Sequence, residues 1–147
     1  MMDLKNSETE YLLAVLRAAV KGEKAGAPPQ EMDWQAFFEL SKRQEVYSMI
    51  AQSIDFQYLP PDIARQLNDY AKSELVRLIA MQNELHSIED ELAENGIKYM
   101  LLKGAVIRNY YPKQSMRQMS DIDILYDPAK REILVDLTKR RGYELMT

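Results

Sequence analysis

Ile97-Lys98-Tyr99-Met100-Leu101-Leu102, then Lys103-Gly104-Ala105, then Asp121-Ile122-Asp123-Ile124-Leu125-Tyr126: these three segments decide the fold. The first is short, apolar and closely bounded, which predicts a strand. Gly104 to about Tyr110 reads as a helix, and Tyr111-Pro112-Lys113-Gln114-Ser115 as a turn. The third segment alternates acidic and apolar residues, which predicts a strand with two unlike faces. Pro128 opens a further helix with Ile133, Leu134 and Leu137 on one side, ended by Arg140, Arg141 and Gly142. Tyr143-Glu144-Leu145-Met146 begins another strand. Residues 96–147 are therefore expected to form a β-α-β-α-β core.

Upstream, residues 1–95 read as a helical region. Ser7 and Glu10 make a capping-box pattern before Tyr11-Leu12-Leu13-Ala14-Val15-Leu16, in a helix that stops near Gly22. Lys21 to Gln30 is the one clear linker. Asp33 is placed to cap a second helix whose apolar side is Trp34, Phe37, Phe38 and Leu40, packing residues between helices. Val46 to Ile54 reads as a third helix. A fourth runs from Pro60-Pro61 to Glu94 with no internal Gly or Pro, its apolar residues recurring at steps near three and four. It would span roughly 50 Å and stop at Asn95-Gly96. Such a stripe suits a coiled-coil homodimer or a helix lying across its own small bundle, the second being preferred. The class is α+β.

Composition narrows the functions. The 147 residues contain no cysteine and one histidine, His86, which removes thiolate zinc sites, cysteine nucleophiles and multi-histidine metal centres. The net charge of −4 argues against a general nucleic-acid coat. No apolar stretch is long enough to span a membrane, and MMDLKNSETE lacks the basic start and apolar core of a secretory signal, so a cytoplasmic protein is expected. The nine methionines read as core filler.

Asp121-Ile122-Asp123 carries the chemistry. On a strand, residues i and i+2 share a face, about 6–7 Å apart at Cβ. At that spacing two carboxylates repel by roughly 2–3 kcal/mol at an effective dielectric of 20. The pair either flanks a hard divalent cation, as carboxylates hold Mg²⁺, or protects an open sheet edge from further pairing. Between Asn95 and Ser120 there is no acidic residue, while Lys98, Lys103, Arg108, Lys113 and Arg117 fall there. A basic segment leading into an acidic pair suits a metal-bound polyphosphate, because cation and basic side chains share the phosphate charge. Leu102-Lys103-Gly104-Ala105 adds a strand-to-helix turn whose backbone N–H groups can meet phosphates at close approach. Tyr110 and Tyr111 are available for packing or for stacking on a base.

Gly104-Ala105, a helix, then Asp121-Ile122-Asp123-Ile124 resembles the signature of the DNA polymerase β-like nucleotidyltransferase superfamily: a Gly-Gly or Gly-Ser turn followed by two acids flanking an apolar residue on a strand. Leu101-Leu102-Lys103-Gly104, Tyr111-Pro112, Arg117 and Asp121 to Leu125 look like the uncharacterised bacterial "nucleotidyltransferase family protein" group within it. The resemblance covers about Asp33 to Leu145. It implies that Asp121 and Asp123 bind catalytic Mg²⁺ (or Mn²⁺), that the backbone at Gly104 and Ala105 cradles an NTP, and that Arg117 and Lys103 contact its phosphates. The implied reaction transfers NMP to an acceptor hydroxyl on a small molecule or protein. Ala105 departs from the family's frequent Ser. The superfamily also carries a third carboxylate on a later strand, for which Asp127, Asp136 and Glu144 are poor substitutes. Residues 96–147 are therefore expected to be a partial core, truncated at its C-terminus, or else a module that binds NTP or a protein partner without turnover. The unfinished strand leaves an open edge that a second copy could cover.

Overall fold

A computed structural model describes residues 7–144. The element order is α1 (Ser7–Lys21), α2 (Trp34–Arg43), α3 (Tyr47–Ser53), α4 (Pro61–Glu94), β1 (Tyr99–Leu101), α5 (Gly104–Ile107), β2 (Ile124–Tyr126) and α6 (Arg131–Arg140), with short 3₁₀ turns between several of them. The protein is α+β, with a helical N-terminal region. Among the described residues no helix is long and apolar enough to cross a membrane.

Local chemistry accounts for the helix boundaries. The Asp33 carboxylate accepts from the Ala36 N–H at 2.9 Å, which caps α2. Pro61 opens α4 at a position where the missing N–H has no helical partner to lose. Asn95 closes it and Gly96 turns the chain at φ 63°, a conformation that favours glycine.

Two cores share α4. The larger packs Val15, Phe37, Phe38, Ile50, Ile54 and Leu67 between α1, α2, α3 and the first turns of α4. Aromatic edges organise it: Phe38 meets Tyr47 edge-on at 4.7 Å between centroids, and Trp34 meets Phe37 at 5.7 Å. The smaller core joins Leu92 of α4 to Ile97 and to Leu137 of α6, with Tyr99, Ile124 and Tyr126 packed against it. The helix thus lies across its own bundle, as the preferred reading of its stripe had it, while Leu75, Val76 and Ile79 in its middle are exposed.

Hydrogen bonds fasten what the sequence marks as a linker. The Ala25 N–H donates to the Ser53 carbonyl at 2.8 Å, and the Tyr11 hydroxyl donates to the Gly26 carbonyl at 3.0 Å. Buried Glu8 ties α1 to α2, its carboxylate accepting from the Asp33 N–H and the Ser7 hydroxyl, each at 3.0 Å. The Asp33 hydrogen bond is the main cause holding the Glu8 carboxyl below its usual pKa. A depressed carboxylate contributes stability that is present above the unfolded-state value near 4.5 and lost as pH falls through the folded-state value. Glu8→Gln is therefore expected to destabilise the protein at pH 7, with the difference from wild type shrinking below about pH 4.5 in urea unfolding curves.

Among the described residues the sheet has two strands. β1 and β2 pair antiparallel, Tyr99 opposite Tyr126 and Leu101 opposite Ile124. The ladder continues one bond past each end, Leu102 N–H to Asp123 carbonyl and Asp127 N–H to Lys98 carbonyl, both 3.0 Å. The expected strand over 121–126 thus begins only at Ile124, because packing against α4 and α6 starts there. The expected third strand is not formed at Tyr143 and Glu144. Tyr143 instead donates its hydroxyl to Glu84 on α4 at 2.7 Å. Leu145 and Met146, the rest of that expectation, lie outside the described residues. Among the described residues the core runs β-α-β-α.

Candidate active site

Five of the six residues singled out in the sequence line one cleft of about 440 Å³: Lys103, Gly104, Arg117, Asp121 and Asp123. The sixth, Ala105, is 4% exposed and is not in the wall; its methyl group turns into the protein. The α2–α3 junction also lines it, with Gln44 and Glu45. The cleft therefore lies between the helical region and the small sheet.

Asp123 is held by the ladder bond from Leu102, and by strand alternation it shares a face with Leu125, away from the smaller core. Its carboxylate meets the Lys103 ammonium at 3.2 Å. Asp121 lies two residues earlier, outside the ladder and exposed. The pair thus stands just before β2, not within it. The two carboxylates supply hard oxygen donors of the kind Mg²⁺ takes, and the Lys103 ammonium now occupies one of them. Among the described residues no group of three or more Asp, Glu, His or Cys side chains is placed to hold a metal.

Lys103 closes β1 and precedes α5 at φ 46°, ψ −119°, a backbone conformation that L residues disfavour. Its carbonyl accepts from the Val106 and Ile107 N–H groups at 3.1 and 2.9 Å. The amides of Gly104 and Ala105 come too early in the helix to find a helical carbonyl. Gly104 leaves room for Met119: a Cβ there would sit 3.1 Å from the Met119 methyl carbon. Buried within the wall, Arg117 Nε and Gln118 Oε1 have no hydrogen-bond partner. A guanidinium nitrogen buried without an acceptor is costly.

The sequence does not mark Glu45. It adopts φ 54°, and it and Lys103 are the non-glycine residues with positive φ among those described; both line this cleft. Strain costs about 1–3 kcal/mol at each such position and collects at functional sites. Nothing in Lys42-Arg43-Gln44-Glu45 announces a left-handed residue, because that signal is normally Gly or Asn.

The strain at Lys103 separates stability from binding. Lys103→Gly removes about 1–3 kcal/mol of strain. It adds about 0.5–1 kcal/mol of unfolded-state entropy and forfeits an exposed ion pair worth about 0–1 kcal/mol. The expected result is a melting temperature higher by about 2–3 °C, with about tenfold weaker polyphosphate binding from the lost charged contact. Melting curves and titrations on the same sample check both.

A family model described as an uncharacterised nucleotidyltransferase matches residues 30–147. No curated protein and no solved structure matches the chain.

Proposed function

This chain belongs to the uncharacterised nucleotidyltransferase family, and from that premise we propose that it transfers a nucleoside monophosphate from an NTP to an acceptor hydroxyl, with Mg²⁺ or Mn²⁺ as cofactor. The observation that carries the reading is the cleft itself. It gathers two carboxylates, a lysine, a half-buried arginine whose Nε lacks a partner, and a glycine turn that packs against Met119.

Asp121 and Asp123 would hold the metal ion. When bound, the ion supplies charge neutralisation at the phosphates and activation of the acceptor oxygen. Arg117 offers its guanidinium to phosphate oxygens. Lys103, now paired with Asp123, exchanges that carboxylate for phosphate as the NTP enters. The early amides of α5, at Gly104 and Ala105, would meet the triphosphate from the turn that Met119 packs against. The acceptor oxygen forms a bond to the α-phosphorus, the bond to pyrophosphate breaks, and the hydroxyl proton is released to water. The acceptor is a small molecule or a protein side chain.

A second reading has its own observation. With no third carboxylate or histidine beside the pair among the described residues, the chain binds Mg²⁺–NTP without turnover. Thermal unfolding with each of the four NTPs, with and without Mg²⁺, and transfer from α-labelled NTP divide the readings. A Mg²⁺-dependent shift with transfer supports the enzyme. A shift without transfer to any acceptor supports the binding module. No shift with any nucleotide sinks both.

A further inference from the structure

We infer that an apolar cavity behind Asp121 is the acceptor site, and that it takes a small apolar molecule bearing a hydroxyl and no negative charge. The acceptor role rests on the proposed transfer reaction. The cavity, of about 550 Å³, lies between α4, α6 and the inner face of β2. That is within the range of roughly 300–1,000 Å³ in which proteins bind small molecules.

Three features on this side of the molecule carry the assignment. The first is contiguity. Ser120 and Asp121 line both this cavity and the charged cleft, so one short segment divides them. A molecule seated here lies against the segment that carries Asp121, on whose other side is the cleft proposed for the triphosphate. Transfer needs acceptor and leaving pyrophosphate on opposite sides of the phosphorus. The second feature is the wall: Ile88 and Leu92 of α4, Ile122 and Ile124 at β2, and Leu134 and Leu137 of α6. Such a wall favours an apolar body over a sugar or a nucleic-acid end, whose polar groups would lie unpaired against it.

The third feature is charge. At the far end Arg141 is bound by Glu84 at 3.0 Å and by Glu91 at 2.9 Å, and the Tyr143 hydroxyl adds a bond to Glu84. These hydrogen bonds from Tyr143 and Arg141 hold the Glu84 carboxyl below its usual pKa. With Asp121, the lining carries three carboxylates and one guanidinium, so an anionic occupant is repelled. The acceptor oxygen gains the bond to the α-phosphorus, pyrophosphate leaves, and the proton goes to water, as in the transfer above.

The probes are 1-naphthol, a neutral apolar bicycle with a hydroxyl, and 1-naphthoate, its anionic counterpart, titrated by fluorescence against the full chain. The expected result is saturable 1:1 binding of naphthol, with naphthoate at least tenfold weaker. Leu134→Trp and Thr138→Phe, two independent ways to fill the cavity, should each weaken naphthol at least tenfold while keeping the Mg²⁺–NTP thermal shift, which also reports that they fold. With Mg²⁺ and α-labelled NTP, wild type should label naphthol and the two variants should not. Absence of saturable binding, equal affinity for naphthoate, or full binding by both variants overturns the site. A dimer in sedimentation that naphthol dissociates assigns the cavity to a second copy and overturns the acceptor reading. Naphthol binding as expected with no Mg²⁺–NTP shift overturns only the acceptor role, because the transfer reaction has then failed independently of the cavity.

Discussion

Asp121→Ala/Asp123→Ala is expected to abolish the Mg²⁺-dependent part of nucleotide stabilisation. In wild type, NTP at about 100 times its Kd should add about 2.7 kcal/mol, a rise of roughly 5–10 °C for a chain of this length. Without Mg²⁺ both proteins should show only the weaker response due to Lys103 and Arg117. The reason for the size is that the two are the cleft's only carboxylates besides Glu45 among the described residues. The fold should survive the substitution: Asp121 is exposed, and Asp123 is fixed through its backbone carbonyl, which Ala retains. Its ion pair with Lys103 is largely exposed and contributes little stability. A full Mg²⁺-dependent shift in the double variant would remove the pair from the site, and unfolding of the variant would show in its own melting curve.

Phe38→Ala is expected to cost about 3–5 kcal/mol, the usual range for emptying a buried phenylalanine site. Phe38 is 2% exposed, packs edge-on to Tyr47 and carries the Lys42 ammonium 4.7 Å from its ring centre. For a chain of this length the loss corresponds to roughly 10–15 °C in melting temperature. The effect should not stop at stability. Phe38 and Tyr47 bracket the α2–α3 junction, and that junction supplies Gln44 and Glu45 to the cleft. Nucleotide binding measured well below the new melting temperature should therefore weaken as well. Unchanged binding in a folded Phe38→Ala protein would mean that the helical region contributes no wall to the working site.

What was legible in the residues follows the range of the forces involved. Asp33, Pro61 and Asn95-Gly96 act within a few residues, so their capping and turning roles could be read directly and recur in the structure. The β2 strand was legible in type but not in length, because its pairing and packing partners are remote. Ile124 begins it where α4 and α6 supply an apolar face, and Asp121 has no such partner. Tyr143 looked like the start of a strand, since aromatic residues favour strands. A hydroxyl bond to Glu84, 59 residues away, competes for it.

By itself, then, the sequence determined the helical region, the strand–turn–helix at Lys103-Gly104 and the identity of the acidic pair, because periodicity, capping and charge are written locally. Only the tertiary structure decided that α4 joins two cores, that the α2–α3 junction lines the same cleft as the acidic pair, and that Ser120 and Asp121 divide a charged cleft from an apolar cavity. Those arrangements depend on contacts between residues tens of positions apart, and only side-chain packing sets which of them meet.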